Sequence, residues 1–215
     1  MKTIAITSQK GGTGKTTAAV HLATAATLAG YDAVVIDLDP QGSAATWGDD
    51  RGEAAPEVIS GQASRLSVLL ESAAREGFDL VVVDTGPAAD AAARRSAELA
   101  DLVLIPCRPS SFDLKAIRTT LDLVESTRTP AYVVLNAAPI RSRAVNEARD
   151  VVTGLNGKVA PVVICQRAAY GHSVIEGRTA QEFEPDGKAA EEIGELWQWV
   201  KAELKIPPKQ TREAA

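Results

Sequence analysis

Short apolar runs alternate along the chain with longer, alanine-rich segments in which apolar and polar positions follow a helical spacing. The short runs are rich in Val, Ile and Leu, and most are continuously apolar rather than strictly alternating. A continuous apolar run is typical of a strand that is covered on both faces of its sheet. The predicted strands occupy residues 3–8, 32–39, 79–85, 102–107, 131–137 and 159–165.

The segments between these strands predict helices. Gly30 stands where the glycine after a helix C-terminus belongs, and Ser110 and Asp113 have the spacing of a capping box. Strand–helix alternation implies right-handed crossovers, and therefore an α/β domain with a mostly parallel, twisted sheet and helices on both faces. The predicted helices cover residues 15–29 and about 61–76, 88–100, 111–127 and 142–154.

The domain organisation expected from this pattern is simple. With 215 residues, 45% of them apolar, the chain is long enough for one domain with a proper core. We expect that domain to span residues 1–205, with one long irregular segment at 47–61. Residues 206–215 are predicted to form a flexible C-terminal tail.

Charge and targeting signals restrict the class of protein. The chain has 23 Lys and Arg against 28 Asp and Glu, a net charge of −5, so nucleic acid would have to bind at a local basic patch. Neither of its two cysteines belongs to a C-x-x-C pair, and no run is apolar enough to span a bilayer or act as a signal peptide. A cytoplasmic protein is expected.

The candidate chemistry follows the strands. Ligands of open parallel sheets bind beyond the carboxyl ends of the strands. The first strand is followed by QKGGTGKTT, the second by DPQG, the third by TGP, and the fifth ends at Asn136. These are residues suited to phosphate, metal and base recognition, and all of them are expected at one edge of the sheet.

The glycine-rich segment predicts a phosphate-binding loop. It fits the pattern G-x-x-x-x-G-K-[ST] only in a shortened form, because Gln9 stands where the first glycine belongs. Glycines still let backbone N–H groups surround phosphate oxygens at the start of a helix. Lys15 would hold the β- and γ-phosphates, and the Thr16 hydroxyl would bind Mg²⁺. The predicted nucleotide-binding residues are Gly11, Gly12, Thr13, Gly14, Lys15, Thr16 and Thr17.

Two carboxylates complete this hypothesis. Asp84 ends the third strand, where it could hold Mg²⁺ through water. Asp39 ends the second strand and could orient the attacking water or contribute to the metal shell. Asp37 points the same way in a strand, so one of the two aspartates could be structural, and we favour Asp39 for the chemistry because it is nearer the loop.

These motifs together resemble those of the ParA/MinD family of deviant Walker A ATPases. The matching stretches are KGGTGKTT, DLDPQ, VVVDTGP, IPCRPSSFDLKAI and CQRAAYGHSVIEG, which extend over most of the chain. The small plasmid-partition ATPases of the ParF kind look most similar. The chain departs from many relatives at Thr85–Gly86–Pro87, where they carry two prolines.

The resemblance implies roles for residues that the pattern alone leaves open. It implies that Lys10 crosses a dimer interface to the phosphates bound by the other subunit, although a solvated lysine remains the alternative. It also implies that Asn136, otherwise a common turn residue, reads adenine. The implied protein is a weak Mg²⁺-dependent ATPase that forms a homodimer with ATP and works with a centromere-binding or cargo adaptor protein.

Three classes of function remain open at this stage. The first is a segregation or positioning ATPase that binds non-specific DNA of the nucleoid as an ATP dimer. The second is a MinD-like membrane-associated ATPase, which we disfavour because glutamates outnumber lysines in the amphipathic segment 189–205. The third is a metabolic enzyme of the dethiobiotin synthetase type. The candidate DNA contacts are Arg141, Arg143, Arg167 and Arg178, each of which could equally be a solvated surface residue.

Overall fold

The sheet is built from parallel strands throughout the described part of the chain. A computed structural model describes residues 1–87 and 90–209. Its seven strands lie in the order β3-β2-β4-β1-β5-β6-β7, and every neighbouring pair is parallel. The strands are β1 (Lys2–Ile6), β2 (Ala33–Asp37), β3 (Glu57–Ser60), β4 (Leu80–Asp84), β5 (Leu102–Cys107), β6 (Ala131–Ala138) and β7 (Val159–Cys165).

Helices cover both faces of this sheet, which confirms the predicted α/β architecture. Alternate residues of one strand face opposite layers, so Ile4 packs in the cluster with α1 and α9 whereas Ala5 packs in the cluster with α5 and α6. A third cluster joins α3 to β2 and β4. The helices are α1 (Lys15–Leu28), α2 (Ser43–Arg51), α3 (Leu66–Glu76), α4 (Asp90–Leu99), α5 (Ser111–Glu125), α6 (Ala144–Gly154), α7 (Ala168–Val174), α8 (Ala180–Phe183) and α9 (Lys188–Glu203).

The prediction of an irregular segment at 47–61 is wrong. The segment contains the end of α2 and all of β3, a four-residue edge strand with exposed ends. Gly, Thr and Asp give α2 a weak intrinsic helix propensity, so tertiary contacts must hold it. Ala44 and Trp47 are buried, and the Ala45 amide donates a hydrogen bond to the Asp37 carboxylate at 2.9 Å.

Two further predictions concern the C-terminal part of the chain. Helix α9 packs its apolar stripe into the core, and no helix among the described residues is long and apolar enough to cross a membrane. The start of the predicted tail contacts the domain: Ile206 is buried, and Lys209 pairs with Asp79 at 2.6 Å. Residues 210–215 of that prediction, and residues 88–89 of the helix predicted over about 88–100, lie outside the described residues.

A buried histidine ties α1 to α8. The His21 Nδ1 lies 2.8 Å from the Thr17 carbonyl oxygen, and the Ala180 amide donates to Nε2 at 3.1 Å. Because Nε2 accepts, the ring is neutral with its proton on Nδ1. Gln181 donates to the His21 carbonyl at 2.8 Å. Burial lowers the pKa of His21 to about 4.

This geometry predicts a pH dependence of stability. The unfolded chain protonates His21 below about pH 6.5, whereas the folded chain resists protonation until about pH 4. The contribution of His21 to the free energy of unfolding should therefore fall as the pH decreases between these values, by up to about 1.4 kcal/mol per pH unit. The measurement is denaturant unfolding of the wild type and His21→Gln at several pH values. The difference between their unfolding free energies should shrink on acidification, with exposed His172→Gln as the control; parallel curves would contradict the assignment.

Candidate active site

The loop between β1 and α1 has the conformation that a phosphate-binding loop requires. Gly12 and Gly14 have φ angles of 72° and 91°, in the left-handed region that glycine tolerates. Helix α1 begins at Lys15, directly after Gly14, and no side chain caps its N-terminus. The first amides of α1 are therefore available to an anion, and the helix dipole favours negative charge there.

Asn136 supports this loop from behind. It lies in β6, and its Nδ2 donates a hydrogen bond to the Thr13 carbonyl oxygen at 2.7 Å. A Cβ atom on Gly14 would lie 2.2 Å from the same Nδ2, so the contact also requires glycine. Asn136 does not line the cavity described below. In this structure it positions the loop, and the base contact stays a prediction.

Lys15 is a buried cation at the start of the site. Its side chain is 7% exposed, and its ammonium donates to the Lys10 carbonyl oxygen at 3.3 Å. Burial lowers the pKa of Lys15, while the carboxylates of Asp84 and Asp39 act in the opposite direction. A buried ammonium interacts strongly with an incoming anion.

Thr16 and Asp84, two of the residues predicted to bind Mg²⁺, are in contact. The Thr16 hydroxyl donates to Asp84 Oδ2 at 2.7 Å. Asp84 is fully buried, and burial raises its pKa to about 7 although the Thr16 hydrogen bond opposes the shift. Its second oxygen, Oδ1, has no hydrogen-bond partner within the described ranges.

These residues fit a Mg²⁺ site in which the protein supplies only some of the ligands. An unpartnered buried carboxylate oxygen beside a hydroxyl offers ligands to a hard cation. Within residues 1–87 and 90–209, no three His, Cys, Asp or Glu side chains form a metal-binding group. Mg²⁺ bound here would therefore need phosphate oxygens and water in addition to Thr16 and Asp84, which is its usual mode of binding.

The two aspartates of the second strand have different surroundings. Asp37 is buried and accepts hydrogen bonds from the amides of Asp39 and Ala45, both at 2.9 Å, so it fixes the turn into α2. Asp39 lines the cavity and accepts from the Gln41 amide at 2.9 Å. A Cβ atom on Gly86 would lie 3.0 Å from Asp39 Oδ1, which gives a physical reason for glycine at this position.

A cavity of about 490 Å³ opens in front of these groups. One side of it is formed by the loop and the first turns of α1. The opposite wall comes from α2 and the end of α7, which the sequence did not assign to the site. The second half of α2 lay in the segment predicted to be irregular. The lining residues from these two helices are Ser43, Thr46, Trp47, Asp50 and Val174.

The four arginines predicted as DNA contacts differ in whether their guanidinium groups are already paired within the protein. Arg167 pairs with Glu192 at 2.7 Å, and Glu192 also accepts from the Cys165 amide, so this arginine is part of a structural network. Arg178 contacts Glu176 and lies over the Phe183 ring. Arg141 and Arg143 are exposed in the connection between β6 and α6, and neither guanidinium has an ion pair among the described residues.

Comparison with known proteins agrees with the fold and with a nucleotide-binding domain. Residues 4–180 match the family model described as the CobQ/CobB/MinD/ParA nucleotide binding domain. MinD cell division protein from Aquifex aeolicus has the same fold, with a TM-score of 0.76 at 19% identity, covering 97% of this chain and all of that one.

Two relatives match along nearly their whole length, and both are named maintenance of carboxysome distribution protein A. The protein from Gloeobacter kilaueensis is 34% identical over 91% of this chain and 95% of its own. The one from Halothiobacillus neapolitanus is 31% identical over 90% of this chain and 94% of its own. The predicted likeness to partition ATPases of the ParF kind is therefore only approximate. The chain belongs to the CobQ/CobB/MinD/ParA family of nucleotide-binding domains.

Proposed function

We propose that this protein is an ATP-dependent dimerising ATPase that positions a cellular cargo. The observation that carries the proposal is the pair of lysines on one loop, Lys15 buried at the start of α1 and Lys10 five residues before it. One cation suffices to bind a nucleotide in its own subunit. A second cation on the same loop suits a site completed by another copy, as an arginine finger completes other phosphoryl-transfer sites.

The proposed reaction is hydrolysis of ATP to ADP and phosphate. The amides at the start of α1 and the Lys15 ammonium bind the phosphates and stabilise the charge that develops on them. Thr16 and Asp84 hold Mg²⁺, which when bound neutralises phosphate charge. Asp39, whose carboxylate lines the cavity, orients the attacking water. Lys10 of the second copy adds positive charge, so hydrolysis depends on dimerisation.

The names of the relatives suggest what kind of cargo the protein positions. The two relatives described above are named for carboxysome distribution, and segregation of DNA is the narrower alternative that the sequence motifs suggested. In either case an adaptor protein would connect the cargo to the ATP dimer and stimulate hydrolysis. We propose that the dimer uses non-specific nucleoid DNA as its matrix.

The structure favours DNA over a membrane as that matrix. The apolar stripe of α9 is buried against the sheet, so α9 could enter a bilayer only if the core opened. Arg141 and Arg143 instead present two exposed positive side chains in one loop, and phosphate contacts from such residues carry non-specific DNA binding.

Alanine substitutions of the two lysines test their separate roles. Lys15→Ala should weaken ATP binding by about 10²-fold or more, because the charged hydrogen bonds to the phosphates are lost. Lys10→Ala, the control in the same loop, should bind ATP as a monomer but lose the ATP-dependent dimer. Isothermal titration calorimetry and light scattering measure the two effects. Tight ATP binding by Lys15→Ala, or normal ATP dimers of Lys10→Ala, would contradict the respective role.

The second prediction concerns catalysis. Asp39→Ala should bind ATP yet hydrolyse it about 10²-fold or more slowly, since the attacking water loses its orienting carboxylate. Asp49→Ala removes an exposed carboxylate from the neighbouring helix α2 and should keep its turnover. Phosphate release under single-turnover conditions is the measurement. Equal rates for the two variants would place the catalytic role elsewhere.

The third prediction concerns the matrix. Random-sequence DNA should co-sediment with the protein in ATP but not in ADP, and the affinity should fall steeply with salt, with a log–log slope of about −0.9 for each phosphate neutralised. Arg141→Ala/Arg143→Ala should weaken this binding and reduce the slope. A matched control is Arg128→Ala/Arg75→Ala, which also removes two exposed arginines, one of them, like Arg141, at positive φ. Binding to anionic liposomes instead of DNA would favour the membrane class.

A further inference from the structure

The ammonium of Lys10 is held by a carboxylate of its own chain. Lys10 Nζ lies 2.8 Å from Asp113 Oδ2, across 103 positions of sequence (113 − 10). The Lys10 side chain is about one-third exposed, at 35%, whereas the Asp113 side chain is 7% exposed. Solvent therefore reaches the lysine far more than the aspartate, and the lysine is the partner that is able to move.

Asp113 is fixed by the first turn of α5. Ser110 caps this helix: its hydroxyl contacts Asp113 Oδ2, and the Asp113 amide donates to Ser110 Oγ at 3.3 Å. Burial works against ionisation of the carboxyl, but hydrogen bonds from Lys10 and Ser110 lower the pKa of Asp113 overall. The two contacts with Ser110 do not involve Lys10, so they keep the carboxylate in place when Lys10 leaves.

The contact is also connected to the phosphate-binding lysine. Lys15 Nζ donates to the carbonyl oxygen of Lys10, and the Thr13 hydroxyl lies 3.5 Å from the same oxygen. The main chain of Lys10 is therefore held by Lys15, and its side chain by Asp113. A triphosphate that draws the Lys15 ammonium toward itself removes one of the contacts that hold the Lys10 segment.

We propose that Asp113 restrains Lys10 within its own subunit, so that the Lys10–Asp113 ion pair must open before Lys10 can reach the phosphates of a second copy. This inference rests on the proposed function, because it assigns regulation to the ATP-dependent dimer. Opening the ion pair costs free energy, and this cost opposes dimerisation. Nucleotide binding lowers the cost because it draws Lys15 away from the Lys10 main chain. The dimer forms only when the phosphates of the partner attract Lys10 more strongly than Asp113 does.

The test is the isosteric variant Asp113→Asn. The asparagine keeps a side chain that can contact Ser110 but carries no charge to hold Lys10. We expect its ATP dimer to form with a dissociation constant about three- to tenfold lower than that of the wild type, as the loss of two partly exposed ion pairs, one in each copy, predicts. Sedimentation velocity across a range of protein concentrations at saturating ATP gives this constant.

Two controls separate release of Lys10 from other effects of the substitution. Asp122→Asn removes the same charge from an exposed position on α5, and its dimer constant should match that of the wild type. ATP affinity is compared between Lys10→Ala and Lys10→Ala/Asp113→Asn. Equal affinities are expected, because Asp113 is proposed to act through Lys10. A higher ATP affinity of the double variant would show that Asp113 repels the nucleotide directly, which overturns the proposal.

The remaining outcomes distinguish this proposal from the function on which it rests. An unchanged or weaker ATP dimer of Asp113→Asn, beside a normal dimer of the wild type, overturns the restraint alone. A weaker dimer would show that Asp113 acts within the assembled pair. The absence of ATP dimers from both proteins overturns the proposed function and this inference with it. A thermal unfolding midpoint close to that of the wild type confirms that the variant is folded.

Discussion

The register of three central strands places the chemistry of this protein. In the sheet, Ile6 of β1 stands beside Asp84 of β4, and Asp84 stands beside Asp37 of β2. All three strands are parallel, so the chain leaves each of them at the same edge of the sheet. The loop before α1, the buried carboxylate of Asp84 and the turn carrying Asp39 therefore converge without any long loop. A shift of one residue in this register would turn Asp84 away from Thr16.

This convergence buries charges that the protein alone does not fully compensate. Burial lowers the pKa of Lys15 and raises that of Asp84 to about 7, which are the two directions expected when charged groups lose water. Under the proposed function, a triphosphate with its cation would supply the missing counter-charges to both. The buried charges thus lower the free energy of unfolding relative to an apolar edge, and a ligand that binds only the folded state would raise it again.

The sequence predicted what depends on local pattern and missed what depends on contacts between distant residues. Continuous apolar runs predicted six of the described strands, and the loop was evident from its glycines and lysines. The edge strand β3 was missed because two apolar residues between Glu57 and Ser60 give too weak a signal. No spacing rule indicates that Asn136 holds Thr13, that Arg167 pairs with Glu192, or that Asp113 holds Lys10.

Contacts among the cavity walls indicate where motion is possible. Arg51, at the end of α2, pairs with Glu182 at 2.6 Å, and Trp47 donates to the Arg178 carbonyl at 3.1 Å, so α2 is fixed to the segment around α8. The buried His21 fixes the same segment to α1. With these walls held together, a rigid movement of one helix would break several buried hydrogen bonds at once. The Lys10 side chain, about one-third exposed, can change partner by breaking one ion pair, so the proposed response to nucleotide costs least there.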